Sequence, residues 1–343
     1  MSRYGINGKL ITWIKSFLSN RRQRVRLKNY YSSFEPVLSG VPQGSVIGPL
    51  LFIIYINDLP DNSDSNLLMF ADDTKLFRPL STTSSYLELQ NDINSLVDWS
   101  NKWELKFNSS KCYAMHIGTN APNSYDMFDI IKNKRVQLDS IKEEKDLGVI
   151  LDDKLKFSSN IATQVNKANK TMGLIRRSYS YLDKTSFRYL FNSLVRPYLE
   201  YCVSIWYPLL KKDEDLIENV LRRGSKLIPG LSHLPYSQRL SEMKIPCMKY
   251  RRMRGDMILL YRILSDENSS LLNLFQFNDN STTRGHNKKL KKSFVRSKLR
   301  QHFFSNRCVN NWNSLPYDVV NAISLNSFKI ALDEFWISKW YDI

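Results

Sequence analysis

Residues 67–77 read LLMFADDTKLF, and the adjacent aspartates Asp72 and Asp73 decide how the chain is read. Neighbouring carboxylates repel each other and resist desolvation, so the pair does not help a strand to fold. The apolar run LLMFA suits a buried strand, DDT a turn, and KLF the returning strand. Two carboxylates on a tight strand–turn–strand are natural ligands for a hard cation such as Mg²⁺. A solvated turn, where Asp is common, is the plain alternative.

Working outward, SGVPQGSVIGPLLFIIYIND at 39–58 is a Gly/Pro-rich loop entering a helix. Ser45 suits the N-cap, and Pro49 falls in the first turn, where a missing N–H costs little. The helix is apolar almost all round, which predicts burial on every side. Before the loop, Leu10, Ile11, Trp13, Ile14, Phe17 and Leu18 mark one face of an amphipathic helix. In the following SNRRQRVRL, Arg22, Arg24 and Arg26 alternate with Gln23, Val25 and Leu27. Arginines along one face of a strand suit phosphates. An edge strand with solvated arginines explains the same pattern.

After the aspartates, residues 84–103 predict a helix with Leu89, Ile93, Leu96 and Val97 on one face. KFNSSKCYAMHIG reads as a turn and a strand, and KDLGVILDDKLKF at 145–157 as a strand–turn–strand. From about 158 the pattern is helical. Ile161, Val165, Ala168, Met172 and Ile175 mark one helix, with Lys167, Lys170, Arg176 and Arg177 on its other faces. Phe187, Leu190, Phe191, Leu194, Val195 and Tyr198 mark a second, and Leu216, Ile217, Val220 and Leu221 a third, stopped by Pro229-Gly230. Such stripes are core, and three in succession predict a small bundle. Beyond 231 the chain is basic and mostly helical, with a polar loop at 266–281 and a last helix near 326–336. HNKKLKKSFVRSKLRQHFFSNR mixes cations with Phe294, Phe303 and Phe304. It fits either nucleic-acid binding by charge and stacking or lysines around core aromatics.

The 343 residues carry 50 Lys+Arg against 33 Asp+Glu, a formal charge of +17. That excess favours a polyanionic partner, most simply nucleic acid. No lipidation signal or long basic amphipathic helix supports a membrane surface instead. The longest clean apolar run, LLFIIYI, is too short to span a bilayer, and the N-terminal residues lack the apolar core of a signal peptide. Four scattered cysteines argue for a reducing compartment. The expectation is an intracellular chain, in the nucleus or in a cytoplasmic ribonucleoprotein. Oligomeric state stays open.

LSGVPQGSVIGPLLFIIYINDLP followed by FADDTKLF resembles the reverse transcriptases of non-LTR retrotransposons of the LINE or jockey-like type. WELKFNSSKC, KDLGVILDDKLKF, VRPYLEYCVSIWYP, YRRMRGDMILLYRIL and WNSLP extend the resemblance over nearly the whole chain. It implies an α+β fold: a partial right-hand polymerase palm, an antiparallel sheet with helices, over 1–157; a helical thumb-like bundle over 158–230; and a basic, mostly helical C-terminal region over 231–343. It implies an RNA-directed DNA polymerase acting on an RNA template, a DNA primer and dNTPs, with a two-metal Mg²⁺ site. Asp72 would ligate metal with Asp73 as its partner, on a catalytic hairpin that includes Phe70 and Ala71. Gln43 and Gly44, with Ser45, would lie against the nascent base pair, and Lys111 near the triphosphate as a charge or proton donor. Arg22 and Arg24 would contact template or nucleotide. A solvated surface lysine explains Lys111 equally well.

These polymerases also need a third carboxylate on an earlier strand. Before Ser39 this chain has one acidic residue, Glu35, among many basic ones. The expectation is therefore an N-terminally truncated enzyme, lacking fingers and the first catalytic strand. It should be inactive or nearly so alone, with an unpaired sheet edge and exposed apolar surface. The alternative is a non-catalytic nucleic-acid-binding relic or co-opted module.

Overall fold

The apolar stripes resolve into two separate cores. The computed structural model describes residues 1–118, 123–278 and 285–342. The chain is α+β and forms two units, Met1–Ala114 with Asn120–Ile141, and Met115–Thr119 with Lys142–Ile343.

In the first unit, the helix Gly48–Ile56, the hairpin strands Asn66–Phe70 and Asp73–Phe77, and the helix Thr83–Lys102 share one small core. Ile56, Leu59, Leu96 and Trp99 are buried there, with Phe52, Leu67, Met69 and Leu76 packed against them. Alternation along the hairpin sends Leu67, Met69 and Leu76 inward and leaves Leu68, Phe70 and Phe77 exposed. Among the described residues these two strands pair only with each other. Thr82 caps the long helix, its side chain accepting from the Ser85 N–H at 3.3 Å.

Three expectations for this unit need correction. The helix 48–56 is covered on one side only: Leu51 and Ile56 are buried, while Leu50, Ile53 and Tyr55 are exposed. Uniform apolarity permits burial on every face but supplies no second layer to achieve it. The helix Lys9–Leu18 buries Ile14 alone; Leu10 and Trp13 are exposed, with Trp13 stacked on Phe17 at 5.7 Å. The arginine segment is not one strand. Arg21–Gln23 pairs with Glu35–Val37 and Arg26–Leu27 with Tyr30–Tyr31, with the break at Arg24-Val25.

The second unit opens with the hairpin Glu143–Asp146 and Val149–Asp152. Its turn, Leu147-Gly148, has φ of 44° and 90°. This two-residue positive-φ turn matches strand twist, and it sets the hairpin earlier than the 145–157 expected from sequence. The helix Ser158–Ser178 follows and buries Ile161, Val165, Ala168, Met172 and Ile175 as expected. Within residues 184–200 the helix widens to a π-turn over Phe191–Val195, just before Pro197. Burial then steps strictly by four through Phe187, Phe191, Val195 and Leu199. That phase leaves Leu194 and Tyr198 exposed, against the expected stripe. Leu216 also lies outside, whereas Ile217, Val220 and Leu221 are buried. One continuous core runs from Val149 to Trp336 and includes the helices Tyr236–Met243, Met248–Ser265, Phe304–Asn313 and Leu325–Phe335. Of the expected polar loop, residues 279–281 lie outside the described residues. All four cysteines are free. No helix among the described residues is long and apolar enough to cross a membrane.

Candidate active site

The hairpin tip is a two-residue turn, Ala71-Asp72, one residue tighter than the DDT turn expected from sequence. Ala71 takes a positive φ of 52°, which lets Asp73 begin the returning strand directly opposite Phe70. Phe70 and Asp73 therefore share the outward face of the hairpin. Phe70 is 63% exposed, and Ala71, Asp72 and Asp73 are all exposed. Neither aspartate side chain has a hydrogen bond or ion pair among the described residues, although the chain carries +17.

Behind the tip, the base of the hairpin is clamped by a carboxylate absent from the sequence reading. Asp92, buried on the long helix, accepts from the N–H groups of Asp64 and Ser65, both at 3.0 Å, and from the Ser65 hydroxyl. Arg78, just past the returning strand, donates from Nε to Ser65 Oγ at 2.8 Å, lies 3.8 Å from Asp92, and pairs with Glu88. One side chain thus ties the start of the first strand to the end of the second. A signal for it existed: Asp92 falls on the same helical face as Leu89 and Leu96, where an acidic residue must have buried partners.

The glycine loop is shaped by its own hydroxyl. Ser45 Oγ donates to Pro42 O at 2.7 Å and accepts from the Gly48 N–H at 3.0 Å. Ser45 is therefore not the N-cap residue, a position held by Ile47, but it still satisfies the first helical N–H. A Cβ at Gly48 would lie 2.6 Å from Ser45 Oγ and 2.9 Å from Pro42 O, so only glycine fits. Gly44 has φ of 79° and nothing within 4 Å of a Cβ position, and Gln43 beside it is exposed. The backbone at Gly44 is open to close approach.

Lys111 ends a single 3-10 turn, Ser109–Lys111, that starts at Asn108, whose Oδ1 accepts from the Ser110 N–H at 3.1 Å. Ser109 donates to Asp129, which also accepts from the N–H groups of Ile131 and Lys132, both at 2.9 Å, with Lys132 Nζ 3.3 Å away. The Ser109 hydroxyl, then the Lys132 N–H, hold the Asp129 carboxyl down to about 2. Asp129 thus fixes the turn that presents Lys111, and sequence spacing alone gave no sign of it.

Arg22 and Arg24 are exposed. Arg24 lies over the rings of Tyr31 at 4.0 Å and Phe34 at 4.7 Å, and Arg26 over Tyr31 at 5.4 Å. Arg21 holds the nearby loop, donating to Ser39 O at 3.0 Å and Gly40 O at 2.6 Å. The expected residues thus fall into distinct groups: the tip with Phe70, Ala71, Asp72 and Asp73; the turn with Gln43, Gly44 and Ser45; Lys111; and the arginine ribbon. No hydrogen bond or ion pair joins Lys111, Arg22 or Arg24 to the tip among the described residues.

Asp72 and Asp73 are suitable oxygen donors for Mg²⁺. Among the described residues, however, no group of three or more His, Cys, Asp or Glu side chains could hold a metal ion.

Residues 1–190 match the family model described as reverse transcriptase (RNA-dependent DNA polymerase), and the chain belongs to that family. The curated relatives it resembles are polymerases of mobile elements. The RNA-directed DNA polymerase from mobile element jockey of Drosophila melanogaster is 32% identical over 167 residues, covering 46% of this chain and 18% of that protein. The probable RNA-directed DNA polymerases from transposon BS and transposon X-element of the same species are each 27% identical. Each covers 63% of this chain, which in turn covers 25% and 24% of them. The chain thus spans about a fifth to a quarter of the length of these relatives. No solved structure matches it.

Proposed function

We propose that this chain contributes the aspartate hairpin, the glycine loop and the thumb to an RNA-directed DNA polymerase of a non-LTR retrotransposon, and that it synthesises no DNA by itself. On this reading residues 1–157 are part of the palm, 158–230 the thumb and 231–343 a basic C-terminal region. Asp72 and Asp73 serve the metal site and Lys111 the triphosphate. Gln43, Gly44, Ser45, Phe70 and Ala71 line the nucleotide and template, and Arg22 and Arg24 meet phosphates.

The observation that carries the proposal is the tip itself. Two adjacent carboxylates stand exposed at a hairpin tip, with no hydrogen bond or ion pair among the described residues, and Asp92 clamps the hairpin base behind them. Such an arrangement is poor for stability and suited to a ligand of positive charge. The exposed Leu68, Phe70 and Phe77 on the hairpin, and Leu50 and Ile53 on the helix beside it, support completion of this unit by another polypeptide segment. That segment would bring the further carboxylate.

The test is primer extension on an RNA template with Mg²⁺ and dNTPs. The chain is assayed alone and mixed with the preceding segment of the jockey relative, expressed separately. The expected result is no extension alone and extension by the mixture, abolished by Asp72→Ala. Extension by the chain alone refutes the inactivity, and a mixture indifferent to Asp72→Ala refutes the assignment of the tip.

A further inference from the structure

The polymerase reading leaves the segment after Leu290 without a task. The chain enters that segment under tight restraint. Leu290 is buried, and its N–H and carbonyl both bond the Asn313 side chain, at 2.9 and 2.8 Å. On the other side, the Lys291 N–H donates to Gln276 O at 2.7 Å and the Asn278 N–H to Lys289 O at 2.8 Å. Trp312 Nε1 donates to Lys288 O at 2.8 Å. Buried His286 accepts from the Lys288 N–H at Nδ1, 3.2 Å, which leaves Nε2 to donate to Trp312 O at 3.1 Å. At the far end, Phe304 is buried and Arg307 is held by both oxygens of Asp256, at 2.8 and 2.9 Å.

Between these anchors, residues 292–297 form no regular element, and their backbone N–H groups have no protein partner among the described residues. Phe294 is 89% exposed, and Phe303 is 42% exposed with the Arg300 guanidinium 4.6 Å over its ring. Lys291, Lys292, Arg296, Lys298 and Arg300 are exposed and make no ion pair among the described residues. No Asp or Glu occurs from 285 to 317. Of the two meanings the sequence allowed for this stretch, lysines around core aromatics holds only for Phe304. The chain buries Phe304, yet ten residues earlier it displays an aromatic ring among like charges, on an open backbone pinned at both ends. Cations flanking an exposed ring match a single-stranded nucleic acid, which offers phosphates and unpaired base faces together.

We infer that the strip 291–303 is a binding site for single-stranded nucleic acid. Phe294 stacks on a base, and Lys291, Lys292, Arg296, Lys298 and Arg300 meet the phosphates. The site uses no residue of the aspartate hairpin, so it stands or falls independently of the polymerase assignment.

The test uses the full chain and labelled oligouridylate and oligothymidylate of about 20 nucleotides, longer than a typical single-strand site. A duplex and phosphatidylserine-containing vesicles complete the set. Phe294→Ala is expected to weaken single-strand binding by about tenfold, with the melting curve unchanged because the ring is exposed. The triple variant Lys291→Gln/Lys292→Gln/Arg296→Gln is expected to reduce the slope of log affinity against log salt by about 2, roughly 0.7 per lost phosphate contact. Ultraviolet cross-links to oligouridylate are expected on the peptide that contains Phe294. A preference for either sugar supports the site and identifies the strand it takes. Unchanged affinity in both variants, cross-links confined to other peptides, or Phe294-dependent binding that favours vesicles or duplex over single strands overturns the inference.

Discussion

The hairpin unit and the helical unit divide the molecule's properties unequally. The first carries the glycine loop and the aspartate hairpin on a core of Ile56, Leu59, Leu96 and Trp99, and leaves Leu50, Ile53, Leu68, Phe70 and Phe77 in solvent. The second buries Trp206, Trp312 and Trp336 in one core from Val149 onward. Exposed carboxylates without partners need an open surface, so the unit that holds them gives up packing there. The helical unit is free to close around its aromatics. The comparison teaches that the exposed aspartate pair stands on the thinly covered unit, whereas Trp206, Trp312 and Trp336 are enclosed in the other.

The largest expected effect tests the accessible end. In a complemented polymerase, Asp72→Ala should lower primer extension by about a thousandfold or more, with unfolding by urea unchanged. A smaller loss, or a clear loss of stability, would mean that the tip is structural and the contrast false.

Next comes the packed end. Trp312→Ala removes a fully buried ring and its hydrogen bond to Lys288 O, and should destabilise the helical unit by about 4 kcal/mol in urea titration. Asp92→Ala removes the acceptor of the Asp64 N–H and of the Ser65 hydroxyl and one of the two acceptors of the Ser65 N–H, while Arg78 keeps Glu88. It should cost the hairpin unit about 3 kcal/mol, read by hydrogen exchange over 64–78, and leave protection in the helical unit intact. If either substitution lowered protection in both units together, the two would be one cooperative structure and the comparison would lose its basis.

Two smaller effects sharpen it. Gly48→Ala forces a Cβ against Ser45 Oγ and Pro42 O, and should cost about 2 kcal/mol, accompanied by proteolytic cleavage in the glycine loop. His286 supplies the pH dependence. Burial lowers its folded pKa below the usual 6.5, with Lys288 and Lys289 adding to the effect. The unfolded chain therefore takes up the proton first. Stability from the buried His286 contacts is full above about pH 6.5 and is lost as pH falls towards the lowered folded value. His286→Gln should flatten that part of the stability–pH curve, and an unchanged curve would mean that His286 does not set it.

Much of the helical unit was legible because its signals are local. The stripe from Ile161 to Ile175 repeats with the helical period, so burial of one face follows once a second helix is present. Where the period changes, the reading failed: the π-turn at Phe191–Val195 shifts the phase and carries Leu194 and Tyr198 outward. Phe294 and Phe304 show a different limit. Both sit among cations in sequence, and their separation into displayed and buried rings depends on Asn313, Trp312 and Asp256 gripping the flanking residues.

The sequence by itself determined the family, the α+β class, the positive charge and the position of the aspartate pair on a hairpin. These follow from residue types at short spacing, where pattern and chemistry coincide. Only the tertiary structure decided that Asp92 and Arg78 clamp that hairpin, that Asp129 fixes the turn bearing Lys111, and that a helix apolar all round is covered on one side. The reason is distance along the chain. A carboxylate's partner or a helix's covering layer comes from segments tens of residues away, and no local period encodes which of them arrives.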